Sequence, residues 1–96
     1  GLKDLGMDYD QVPFREGVVP LSQVVPNRGE VTVTLQRMSE NLQADAEVLS
    51  ALAALGLRPG MDFVVRRVGL DLRFSVGEEA VTVDEAVAEL LFVSAP

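Results

Sequence analysis

The hydrophobic pattern changes period twice along the chain, and each change predicts an element. From Glu30 to Met38, Val31, Val33 and Leu35 alternate with Thr32, Thr34 and Gln36. Period-two alternation with β-branched residues predicts a half-buried strand. Ser39 to Gln43 is polar and reads as a connection. From Ala44 to Leu55 the period lengthens: Val48, Leu49, Leu52 and Leu55 form one apolar stripe at helical spacing. Asp45 and Glu47 stand in the first turn of that predicted helix, where the dipole favours negative charge. Gly56 stands where a left-handed residue ends a helix. Pro59-Gly60 follows in the order that a tight turn prefers.

The two-residue period then returns. Met61 to Val68 predicts a second strand. Leu70 to Val76 predicts a third, with Leu70, Leu72, Phe74 and Val76 inward and Asp71, Arg73 and Ser75 outward. Gly69 and Gly77 mark turns. Ala80 to Val83 predicts a short fourth strand. Thr82 and Glu85 have capping-box spacing, so a short helix is expected from Asp84 to about Leu90. Leu91-Phe92-Val93 predicts a final strand. Residues 1 to 28 read as a linker and a first edge segment, because Pro13, Pro20 and Pro26 interrupt regular structure. Within them, Val18-Val19-Pro20-Leu21 is a candidate extended segment, and Pro26-Asn27-Arg28-Gly29 a turn. Short strands at near-even spacing favour closure into a barrel. The expected fold is therefore mainly β: a small barrel of five to six short strands with one inserted α-helix.

Composition narrows the chemistry. The chain has 96 residues, enough for one domain with a modest core. It has no cysteine and no histidine. Disulfides, thiolate metal sites and thiol nucleophiles are excluded, and the commonest general base and transition-metal ligand are missing. Net charge is −7, from 8 basic and 15 acidic side chains, a poor match to a polyanion. The local exception is Arg58, Arg66, Arg67 and Arg73, set against Asp62 and Asp71. These are either a small basic patch or ordinary solvent-facing strand residues. Glu78-Glu79 and Asp84-Glu85 are paired acids, better read as a hairpin turn and a helix cap than as an acid–base couple. No nucleophile–base pair is readable, so the expectation is a binding module and not an enzyme. No apolar run approaches the ~20 residues of a spanning helix, and the first ten residues lack the apolar core of a signal peptide. A cytoplasmic location and no membrane partner are expected.

The run Leu52-Ala-Ala-Leu-Gly-Leu-Arg-Pro-Gly-Met-Asp-Phe-Val-Val65 resembles the SH3-like domain of the FeoA type. Phe74-Ser-Val-Gly77, Ala80-Val-Thr-Val83 and Leu91-Phe-Val93 look like that domain's remaining strands, and Val19-Pro-Leu-Ser-Gln-Val24 resembles its opening. The resemblance covers about residues 18 to 94. It implies an arm at 1–17 and an SH3-like domain at 18–96.

Such domains occur as a free-standing accessory protein of ferrous-iron transport, which binds a membrane GTPase, and as the C-terminal domain of repressors like the diphtheria toxin repressor. Gly1-Leu2-Lys3-Asp4-Leu5-Gly6 is similar to the segment preceding the domain in those repressors. With Gly1 in place of an initiator methionine, it reads as part of a longer chain. The repressor resemblance implies a regulatory domain that touches other domains of its own parent chain and the proline-containing linker. The parent is expected to be a homodimer that reaches DNA through an N-terminal domain not contained here. No cofactor is expected in the isolated domain; Fe2+ or Mn2+ is expected in the full-length protein. The resemblance also implies an ancillary metal site fed by two side chains from the start of the long helix, which fall here on Asp45 and Val48. Asp45 keeps a carboxylate and Val48 cannot ligate. Glu47 or Glu40 are substitutes outside that register.

Overall fold

A computed structural model describes residues 17–96. The predicted arm lies outside these residues, apart from Gly17. Six antiparallel strands form one sheet in the order β1-β6-β2-β3-β4-β5: β1 Val19–Pro20, β2 Glu30–Met38, β3 Asp62–Val68, β4 Asp71–Val76, β5 Glu79–Asp84 and β6 Leu91–Ser94. The fold expected from the pattern, mainly β and small, is the fold observed, and it is SH3-like as the resemblance implies.

Register carries one apolar rung across four strands. Val31 stands opposite Val65, Val65 opposite Phe74, and Phe74 opposite Val81. Val33 faces Phe63 one rung along. The Phe63 and Phe74 rings meet edge-on, with centroids 5.2 Å apart, a geometry that the ring quadrupoles favour. Val33, Leu35, Val65, Leu72 and Phe74 are fully buried.

β2 bends this sheet. Residues 30–34 pair with β3, and residues 34–38 pair with β6. Between Leu35 and Arg37 the register shifts by a bulge, which adds local twist and turns the strand toward its second partner. The sheet edges are β1 and β5. A 3-10 turn at Leu21–Gln23, following β1, packs against a 3-10 turn at Glu85–Glu89, following β5. Leu21, Val87 and Ala88 are buried there, so the edges are drawn together and the sheet closes into a barrel.

Two helices cross between β2 and β3: α1, Glu40–Gln43, and α2, Ala46–Leu55. The segment read as a polar connection is therefore a short helix, because the Ser39 hydroxyl accepts a hydrogen bond from the Leu42 N–H and caps it. The long helix starts at Ala46, two residues later than the periodicity predicts, because Asp45 has extended backbone and acts as its cap. Leu52 and Leu55 are buried, and α2 packs beside β5. Gly56 has φ +83°, and the Leu57 N–H reaches back to the Leu52 carbonyl at 3.0 Å. That left-handed close lets Leu57 return to the core.

Two further expectations are corrected. Leu70 is not inward: it is 82% exposed, because Gly69-Leu70 is a two-residue turn and pairing resumes only at Asp71. Thr82 lies within β5, and the cap of the following 3-10 turn is Asp84, whose Oδ1 accepts from the Ala86 N–H at 2.8 Å.

Candidate functional site

The candidate metal residues sit at the α1–α2 junction. Asp45 is exposed, and its Oδ1 accepts the Val48 N–H at 3.2 Å. One carboxylate oxygen is thus engaged with the backbone donor that an N-cap satisfies. Glu47 is exposed in the first turn, and Val48 is half-buried against the core. Glu40 is exposed in the first turn of α1. Among the described residues no three acidic side chains gather closely enough to hold a metal ion. Hard cations need several oxygen ligands at once. The described residues do not fit a self-contained metal centre; an ion at Asp45 would need most of its ligands from elsewhere.

The paired acids have structural surroundings. Glu78 stands in the turn before β5, and Glu79 begins that strand. Asp84 is the cap already described, and Glu85 Oε2 accepts from the Arg67 guanidinium at 2.9 Å.

Arg67 is a residue whose type suggests simple surface but whose place in the alternation is inward. It follows Phe63 and Val65 on the inner face of β3, at the open end of the barrel. There it borders a cleft of about 570 Å³ at the seam between the sheet edges, shared with Ser22, Asp84, Glu85 and Glu89. The Arg67 Nε is buried without a hydrogen-bond partner. Three carboxylates against one guanidinium make the cleft net acidic.

The other arginines separate. Arg66 and Arg73 stand directly opposite one another on the outer face of the β3–β4 hairpin. Arg58 lies in the turn before β3, at the far end of that strand. The four do not form one patch. Arg37 lies over the Phe92 ring, 3.9 Å from its centroid, a cation–π contact on the outer face where β2 meets β6. Sequence reading did not single it out, because the contact depends on the bulge that sets Arg37 opposite Phe92.

The architecture finds a counterpart among solved proteins. The crystal structure of an iron uptake regulatory protein, FeoA, superposes with a TM-score of 0.56, covering 80% of this chain and 94% of that one at 24% identity. The fold matches that of FeoA. No family model matches the chain, and no curated protein does. The likeness is therefore one of backbone architecture. No helix among the described residues is long and apolar enough to cross a membrane.

Proposed function

We propose that this chain is a non-catalytic regulatory module in iron handling, and that it serves as the C-terminal domain of an iron- or manganese-dependent repressor in the cytoplasm. The observation that carries the iron-related reading is the superposition on FeoA over nearly all of that protein's length. The repressor setting is supported by the Gly1–Gly6 resemblance. In this reading the barrel tunes metal-dependent activation through contacts with other domains of a homodimeric parent chain and with its proline-containing linker. DNA is bound by the N-terminal domain of that parent. Asp45 lends one oxygen to an ancillary Fe2+ or Mn2+ site that the parent completes.

Calorimetric titration of the full-length protein with Mn2+ tests this. Asp45→Ser keeps an N-cap acceptor and removes the carboxylate. A weakened second binding phase is expected; an unchanged one removes Asp45 from the site.

The second reading, a free-standing accessory protein of ferrous-iron uptake that binds a membrane GTPase, is favoured by the likeness to FeoA, an iron uptake regulatory protein. The genomic reading frame separates the two. A winged-helix region encoded upstream of Gly1 supports the repressor, and a start codon near residue 1 supports the accessory protein.

A further inference from the structure

The two edges of the sheet are finished differently. β1 is two residues long, and its second residue, Pro20, has no N–H to offer. β5 is six residues long, contains no proline and pairs with β4 in unbroken register from Val76–Glu79 to Asp71–Asp84. Gly77, at φ +60°, and Glu78 form the two-residue turn between these strands. In such a hairpin the residues flanking the turn exchange both backbone hydrogen bonds, and bonded and non-bonded pairs alternate from there. Glu79, Val81 and Val83 are therefore bonded to β4, and the N–H and C=O groups of Ala80 and Thr82 point to the free edge. Among the described residues no backbone hydrogen bond meets them on that side. The barrel closes beyond the end of β5, where the two 3-10 turns touch, and the Ala80 and Thr82 side chains are exposed. An open row of backbone donors and acceptors is a template for another strand.

We propose that β5 accepts a basic, extended segment of a protein partner as a seventh strand of the sheet. Backbone hydrogen bonds to Ala80 and Thr82 hold the segment, and a Lys or Arg of the segment reaches the carboxylates of Asp84 and Glu89 in the cleft at the end of β5. Charge complementarity selects this occupant. From Phe74 to Pro96 the sequence holds five acidic side chains, Glu78, Glu79, Asp84, Glu85 and Glu89, and no Lys or Arg. Asp71, directly opposite Asp84, adds a carboxylate from β4. α2, which packs beside β5, adds Glu47 and no basic residue. The cations from β3 and β4 do not offset these acids: Arg67 is engaged by Glu85, and Arg73 stands opposite Thr82. Nucleic acids and anionic bilayers are repelled by such an edge. A second copy of the chain is disfavoured too, because two β5 strands joined antiparallel set the Glu79 end of one against the Asp84 end of the other, acid against acid. The inference goes beyond the iron-related reading and does not depend on it.

Hydrogen exchange of the isotope-labelled protein, alone and with a model peptide of alternating Lys and Val, tests the edge. In the free protein the Ala80 and Thr82 amides should exchange at least about tenfold faster than those of Val81 and Val83, which are bonded to β4. Saturating peptide should slow Ala80 and Thr82 and leave Val81 and Val83 unchanged. A Glu–Val peptide of the same length should bind at least about tenfold more weakly. Asp84→Asn keeps an acceptor for the cap, removes the charge and should weaken binding of the Lys–Val peptide about two- to fivefold. Slow exchange at Ala80 and Thr82 in the free protein overturns the proposal, because the edge is then already covered. Absence of protection at millimolar Lys–Val peptide overturns it, as does equal affinity for the Glu–Val peptide. Protection that grows with protein concentration in the absence of peptide overturns it in favour of a second copy.

Discussion

The start of α2 and the tip of the β3–β4 hairpin both present charged side chains to solvent, but they use them differently. At α2, Asp45 closes the helix through the Val48 N–H, and Ser39 does the same for α1 through the Leu42 N–H. At the hairpin, Arg66 and Arg73 face each other and Leu70 extends into solvent. Polar residues at the first place answer a backbone demand, since helix ends leave N–H groups without partners. Residues at the second answer none, since the ladder between β3 and β4 is complete without them. A charged residue beside a helix end is thus weak evidence for a ligand.

The hairpin's two faces supply the largest effect. Phe74, on the inner face, is fully buried against Phe63 and stands in the apolar rung that joins Val31, Val65 and Val81. Phe74→Ala should destabilise the domain by about 3–5 kcal/mol, through lost burial and the cavity left behind. Urea unfolding measures this as a lower midpoint at similar slope. A loss below about 1 kcal/mol would mean that the barrel is not packed around this rung. Arg73, its neighbour in sequence, projects to the other face.

Much of the fold was legible because it follows from period. Val31, Val33 and Leu35 announce β2, and the leucines before Gly56 announce α2 and its left-handed end. The misreadings share a cause: periodicity counts side chains and does not see backbone partners. Leu70 extends the apolar alternation of β4 by one step, yet the turn that joins β3 to β4 consumes it. Asp45 continues the helical pattern, yet its extended backbone makes it a cap. Arg67 looks like surface by type, but strand parity turns it inward at a rim where a long side chain still reaches Glu85 and solvent. The bulge after Leu35 and the contact between the two 3-10 turns depend on strands distant in sequence, so no local pattern carries them. The same holds for the hairpin surface: the four arginines were visible as residues, but only register separates the facing pair from Arg58 and Arg67.

The cap at α2 supplies the middle effect. Asp45→Ala should cost about 0.5–2 kcal/mol, because it leaves the Val48 N–H without its acceptor. Asp45→Ser should recover most of that loss. If thermal unfolding finds Ala and Ser equivalent, the hydrogen bond contributes little and Asp45 becomes free for another role. The comparison between the two regions would then lose its first half.

The smallest expected effect is the most discriminating. Leu70→Ser removes the most exposed large hydrophobic among the described residues from a turn whose shape depends on Gly69. Stability should change by no more than about 0.5 kcal/mol, the usual range for surface substitutions away from caps and core. Burial of Leu70 in the free domain would give a cost of about 2–5 kcal/mol instead, as for a core leucine. A near-zero change in the urea midpoint would show that the fold does not depend on Leu70. A large loss of stability would place Leu70 in a packed surrounding, and the hairpin tip would then resemble the start of α2: side chains that serve the domain itself.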